Sequence, residues 1–118
     1  MQIIRNDPSQ VTPIEAPIFR GNVSRRELIG APQSDQLTVL LVSFGAGGRN
    51  VFHTHTFDQV LYITDGEGIV ASEAEEHVVR EGDIVIIPAG EKHWHGGTET
   101  SAMSHLAIGT PGETTIAD

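Results

Sequence analysis

Along the chain, apolar positions fall in short runs broken by turn residues, and no window longer than about ten residues repeats them at the helical spacing of 3.6. Thirteen glycines and six prolines supply the breaks. The runs "FRGNV" (19–23), "QLTVLLVSF" (36–44), "VFHTH" (51–55), "QVLYIT" (59–64), "GIVAS" (68–72), "EHVVR" (76–80), "DIVIIP" (83–88), "KHWHG" (92–96) and "SAMSHLAI" (101–108) all read as strands. Glycine-bearing turns such as "TDGEG" and "REGD" are expected between them. The chain is therefore expected to be all-β, and strands this short and evenly spaced suggest a double-sheet jelly-roll barrel. Residues 1–18, with Pro8, Pro13 and Pro17, read as an extended arm, and residues 19–118 as a single β domain. The run "LTVLLVSF" is apolar on both faces, which suits a strand covered by the core on one side and by a second copy of the chain on the other. A homodimer is expected.

Size and composition narrow the function. A chain of 118 residues holds one core. Sixteen acidic residues against seven basic ones give a formal charge of −9, which disfavours nucleic acid and anionic lipid as partners. No apolar run approaches the ~20 residues of a membrane-spanning helix, and the N-terminus lacks the basic start and long apolar stretch of a signal peptide, so a cytoplasmic location is expected. Cysteine is absent, so any metal must be held by nitrogen and oxygen ligands.

Such ligands are present. In "VFHTHTFDQ" the strand period of two puts His53 and His55 on one face, and Gln59 opens the next strand across the turn expected at "TFD". In "GDIVIIPAGEKHWHG" a Pro-Ala-Gly turn leads to His93, so four groups of metal-ligand type can come from adjacent strands. His95 shares a face with His93 across Trp94 and is either an orienter of a ligand or a rim residue. In "SAMSHLAI", Met103, His105 and Ala107 share a face. His77, among Glu73, Glu75 and Glu76, is assigned no role. Phe44, Phe52, Phe57, Tyr62 and Trp94 are core or interface aromatics first, though a small apolar substrate needs such walls.

The spacing of these residues is itself informative. The first stretch runs Gly47, five residues, His53, one, His55, three, Gln59, six, Gly66, and the second runs Gly82, five, Pro88, one, Gly90, two, His93. Together they resemble the two motifs of the cupin superfamily, small β-barrels that hold a divalent metal with two His and a Glu from the first motif and a His from the second. Gln59 stands where the usual cupin has glutamate, and Gly97 where the second motif ends in asparagine. A neutral amide leaves the ion its full charge, making it a stronger Lewis acid and a less tightly held one. "GEKHWHG" and "AMSHLAI" are similar to stretches of small bacterial cupins that include manganese-dependent hydroxynitrile lyases. That resemblance implies one divalent transition metal per chain, manganese ahead of Fe, Ni, Co or Zn, on His53, His55, Gln59 and His93, with His105 as acid/base toward a small-molecule substrate. A quercetinase-like dioxygenase and a ligand-binding cupin without turnover are the alternatives.

Overall fold

The computed structural model describes residues 1–117. Twelve strands run in chain order: Thr12–Pro13 (β1), Phe19–Arg20 (β2), Val23–Ile29 (β3), Thr38–Phe44 (β4), Arg49–Asn50 (β5), His53–His55 (β6), Gln59–Ser72 (β7), Glu76–Arg80 (β8), Ile84–Ile87 (β9), His93–Gly97 (β10), Met103–Gly109 (β11) and Thr114–Ile116 (β12). A single 3-10 turn spans Pro8–Gln10. No helix among the described residues is long and apolar enough to cross a membrane.

All pairings are antiparallel. One sheet is ordered β1-β3-β4-β11-β7-β9 and the other β8-β7-β10-β5-β2, with β6 also paired to β10 and β12 to β6. The two share β7, whose first residues pair with β9 and β11 and whose last residues pair with β8 and β10. This is the jelly-roll barrel expected from the strand pattern. The interior follows from alternation: Met103, His105 and Ala107 on β11 are buried, while Ser104, Leu106 and Ile108 are only partly covered. On β4 their register partners Phe44, Val42 and Leu40 point the same way. The apolar core gathers Phe44, Leu61, Ile63, Val70, Ile87 and Met103 with their neighbours. Full burial of each large side chain contributes roughly 1.5–3 kcal/mol.

The expected "TDGEG" turn is not a turn. β7 runs through it without a break, and the strand bends there from one sheet into the other. Apolar content falls over these residues, which made the run look like two strands. Gly66 is what permits the bend: its φ is +77°, and a Cβ there would lie 2.0 Å from the Ala102 carbonyl oxygen. On β11 the register slips between Ser104 and His105 at the same place. The expected strand 19–23 is split at Gly21 and Asn22 into β2 and the start of β3, and β3 runs on to Ile29, because "SRREL" carries its charges on a strand with one wet face and so shows no apolar run. β12, made of Thr114–Ile116, had no such signal either.

The segment 1–18 folds back on the barrel. Thr12 and Pro13 pair with Arg25 and Ser24 on β3, and the Ile18 carbonyl accepts the Val51 N–H. The outer face of β4 is partly covered within the chain, since Leu41 is buried. Beside it, the Arg26 guanidinium donates to the Arg5 and Asp7 carbonyls and ties down the N-terminal residues. The exposed apolar residues of that sheet lie further along, where Tyr62 faces Ile84 and Val60 faces Ile86.

Gly66→Ala is expected to destabilise the protein by about 2 kcal/mol or more, because it combines a left-handed backbone with a collision against a carbonyl that cannot retreat. Gly82→Ala is the control: its φ is +92° but nothing lies within 4 Å of the added carbon. It should lose only about 1–2 kcal/mol. Equal urea midpoints for the two variants would remove the steric argument.

Candidate metal centre

The buried polar and charged side chains are Asn50, His53, His55, Gln59, His93, His95 and His105. Five of the six histidines are therefore inside the barrel. The sixth, His77, is exposed and lies 3.3 Å from the Glu75 carboxylate. The inner five come from three strands. His53 and His55 stand on β6, His93 pairs in register with His53 from β10, and His95 is one alternation further along β10. His105 enters from β11 in the opposite sheet.

Backbone bonds between the two motif loops hold this arrangement. The Gly90 N–H donates to the His55 carbonyl, and the Ala89 N–H donates to Asp58 Oδ1 at 2.8 Å. The Pro-Ala-Gly turn before His93 is thus fastened to the segment between His55 and Gln59. Gly90, with φ +83°, makes the turn.

His53, His55 and His93 offer ligand atoms that all lie within 4.8 Å of one another, so the group could hold a metal ion. Their outer nitrogens are engaged. His53 Nδ1–H donates to the Val51 carbonyl at 2.6 Å, and His93 Nδ1–H donates to the Glu91 carbonyl at 2.8 Å. Because a neutral imidazole carries one N–H, Nε2 of both rings must bear a lone pair. His55 Nδ1 lies 2.8 Å from the Thr114 hydroxyl. On the inner side, His55 Nε2, His93 Nε2 and Gln59 Oε1 are buried with no hydrogen-bond partner. Buried polar atoms are rarely left this way. An acceptor-only set of two imidazole nitrogens and an amide oxygen is what a divalent cation satisfies and what a water donor satisfies only in part, so the donor set fits a metal.

His95 and His105 form a separate pair within the same cluster. His105 Nε2 is 3.0 Å from His95 Nδ1. Asn50 meets His95 twice: Oδ1 accepts the His95 backbone N–H at 2.8 Å, and Nδ2 is 3.4 Å from His95 Nε2. The hydrogen bonds of His95 thus go to His105 and Asn50, while its ring stacks on His93 at 5.7 Å between centroids.

His53, His55, Gln59, His95 and His105 line one cavity of about 460 Å³, whose walls include Ile14, Ile18, Phe19, Leu40 and Val42, with Arg25 among the lining residues. The size suits a small organic molecule. A larger depression of about 680 Å³, lined by Arg49, Trp94 and several glutamates, carries none of the buried imidazoles.

Burial sets the protonation. Desolvation lowers the pKa of His53 and His55 to about 4, with the neighbouring imidazoles adding to the effect. For His53 the bond to Val51 opposes the shift. For His55 the nearby Gln59 does so, although Gln59 Oε1 and His55 Nε2 do not form a hydrogen bond. His105 is likewise lowered to about 4 by burial, opposed by backbone groups of its own segment. Burial also lowers His93, and it lowers His95 well below the ordinary value.

Asn50 and Thr114 carry none of the expected roles, yet they hold His95 and His55. The only signal for Asn50 is its place at the end of "GAGGRN", where asparagine reads as a turn residue. Thr114 lies beyond the last apolar run and gives no signal.

Residues 40–109 match the model of the cupin domain. The chain is similar to the (R)-mandelonitrile lyase of Granulicella tundricola, with 41% identity over 93 residues that cover 76% of this chain and 70% of that protein. It is also similar to the acireductone dioxygenase of Granulibacter bethesdensis, at 32% identity over 62 residues, covering 49% of this chain and 35% of that one. Among solved structures, a cupin-like protein of Thermotoga maritima superposes with a TM-score of 0.83 at 28% identity, covering 92% of this chain and 87% of that chain.

The buried imidazoles also dictate how the metal-free protein responds to acid. Unfolded histidine titrates near ~6.5, whereas His53, His55 and His105 in the fold titrate near 4. Between those values the unfolded chain binds more protons, so stability rises with pH there and falls as pH is lowered. The urea midpoint should drop steadily as pH falls from about 6.5 to about 4. Proton competition with a bound metal should likewise set in nearer pH 4 than 6.5. A midpoint that stays flat across this window would contradict the burial argument.

Proposed function

The chain belongs to the cupin family, and on that premise we propose that it is a metal-dependent enzyme acting on a small organic substrate, with cyanohydrin cleavage or formation as its reaction. The observation that carries this reading is the set of unpartnered buried acceptors on His55, His93 and Gln59, beside a hydrogen-bonded His95–His105 pair that shares a cavity with His55 and Gln59. The name of the Granulicella relative agrees with it. In this proposal His53, His55, Gln59 and His93 hold one divalent transition ion per chain, with manganese ahead of Fe, Ni, Co or Zn. When bound, the ion supplies Lewis acidity toward a hydroxyl or carbonyl oxygen.

The chain's own residues do the rest. Ile14, Phe19, Leu40 and Val42 give the substrate's apolar part a dry wall. His105 takes the hydroxyl proton of the cyanohydrin. The electrons of that O–H bond form the carbonyl as the carbon–carbon bond to the nitrile breaks, and the departing cyanide collects the proton from the imidazolium. His105 returns to its neutral form, and aldehyde and hydrogen cyanide leave. A base held neutral by burial is ready for this at neutral pH, since no proton blocks its lone pair.

A dioxygenase reading is favoured by one observation, the similarity to acireductone dioxygenase over about half the chain. Oxygen dependence separates it, because cyanohydrin chemistry proceeds without oxygen.

The protein is further proposed to be a homodimer joined through the outer face of the first sheet. Tyr62, Ile84 and Ile86 are 40%, 68% and 62% exposed there on adjacent strands.

Two experiments test these proposals. Elemental analysis of the purified protein should find about one transition metal per chain, lost in a His53→Ala/His93→Ala variant. His105→Ala should keep the metal while its anaerobic cleavage of mandelonitrile falls at least about tenfold, the lower end of what a general acid–base group supplies when water replaces it in part. Absence of cleavage by the wild type with any of the five metals restored would end the lyase reading. For assembly, sedimentation should give a dimer at micromolar concentration and a monomer for Ile84→Asp/Ile86→Asp; a monomeric wild type would dismiss the interface.

A further inference from the structure

Asn50 is buried, and its amide has a determined orientation. Oδ1 must be the atom 2.8 Å from the His95 backbone N–H, because the reverse assignment would set two donors against each other. This contact exists because the strand register slips by one residue between the pairs Gly96–Arg49 and His93–His53. At that slip an asparagine oxygen, rather than a ladder carbonyl, receives the His95 N–H.

The amide N–H₂ is then the group 3.4 Å from His95 Nε2. A donor there requires His95 Nε2 to bear its lone pair, so in the neutral ring the proton sits on Nδ1. His95 Nδ1–H faces His105 Nε2 at 3.0 Å, which makes His105 Nε2 an acceptor and puts the His105 proton on Nδ1. The alternative tautomers would bring two N–H groups head to head at the His95–Asn50 contact, in a site where both rings are fully enclosed. His105 Nδ1 has no hydrogen-bond partner in either tautomer, so the choice falls on the His95–Asn50 contact, where a head-to-head pair of buried donors is disfavoured by about tenfold or more.

We propose that Asn50 is a positioning residue that sets the tautomers of His95 and His105 through this one chain of hydrogen bonds, so that His105 Nε2 accepts the His95 Nδ1–H bond and the His105 proton stands on Nδ1. No change of protonation is involved. Of the two rings, the Asn50 side chain bonds to His95 and acts on His105 through it. The tautomer assignment stands on the hydrogen bonds. Its consequence, that His105 Nε2 can take a substrate proton only once the bond from His95 Nδ1–H to it is released, rests on the lyase reading above.

Long-range proton–nitrogen correlation spectra of the ¹⁵N-labelled protein, metal-free and again loaded with diamagnetic zinc, report each ring nitrogen directly. The wild type should show Nε2 without a proton in both His95 and His105, by at least about tenfold over the other tautomer. In Asn50→Asp a carboxylate oxygen replaces the amide donor, so His95 Nε2 should gain a proton. A proton on Nε2 of either ring in the wild type overturns the proposal, and this spectrum needs no variant to fold. A His95 Nε2 that stays bare in Asn50→Asp overturns the role of Asn50. Tautomers as stated in a wild type that cleaves no cyanohydrin support the assignment and refute the functional reading instead.

Discussion

Five imidazoles and two primary amides lie inside a barrel whose other walls are largely apolar, and most of the molecule's distinctive structure follows from making that burial tolerable. An enclosed imidazolium with no counter-charge is costly, and among the described residues no carboxylate side chain is buried. The rings must therefore be neutral, and each neutral ring has one donor and one acceptor to satisfy. Two of the donors go to carbonyls of the residues two places earlier in sequence, Val51 for His53 and Glu91 for His93. Those bonds turn the remaining nitrogens inward. The fold thereby converts a desolvation cost into a concentration of lone pairs.

The barrel supplies what such a cluster needs, which is convergence from strands distant in sequence. β6, β7 and β10 carry the candidate ligands, and β11 brings His105 from the other sheet. The bonds from Gly90 and Ala89 to the segment around His55 and Asp58 make the two loops one rigid unit. Rigidity matters because a displaced ring would leave its inner nitrogen with neither cation nor hydrogen bond. Where the ladder is irregular, at the slip between β5 and β6, a side chain completes the hydrogen bonding and at the same time reaches a histidine.

How much of this could be read in advance varies with the range of the interaction. Alternation along a strand is local, so it placed His53 with His55 and His105 with Met103 and Ala107. The regular spacing of the two motifs added Gln59 and His93, because each motif is a short strand–turn–strand unit whose geometry depends on its own residues. The continuity of β7 was hidden, since "TDGEG" has the composition of a turn and only contact with Ala102 and Met103 extends it as a strand. Asn50 and Thr114 were hidden for a related reason. Their importance is given by which ring they meet 45 and 59 residues away, and nothing in their own neighbourhood announces that meeting.

The cavity's lining has a consequence for how relatives of this chain diverge. The family match begins at residue 40 and ends at 109, yet Ile14, Ile18, Phe19, Arg25, Thr114 and Ile116 all border the space next to the histidines. The chemical groups and the shape of the space they serve are thus encoded in different stretches of the polypeptide. Changes before and after the shared core can alter which molecules are admitted while leaving the reactive cluster intact. Two cupins with the same inner residues can accordingly part in selectivity well before they part in chemistry.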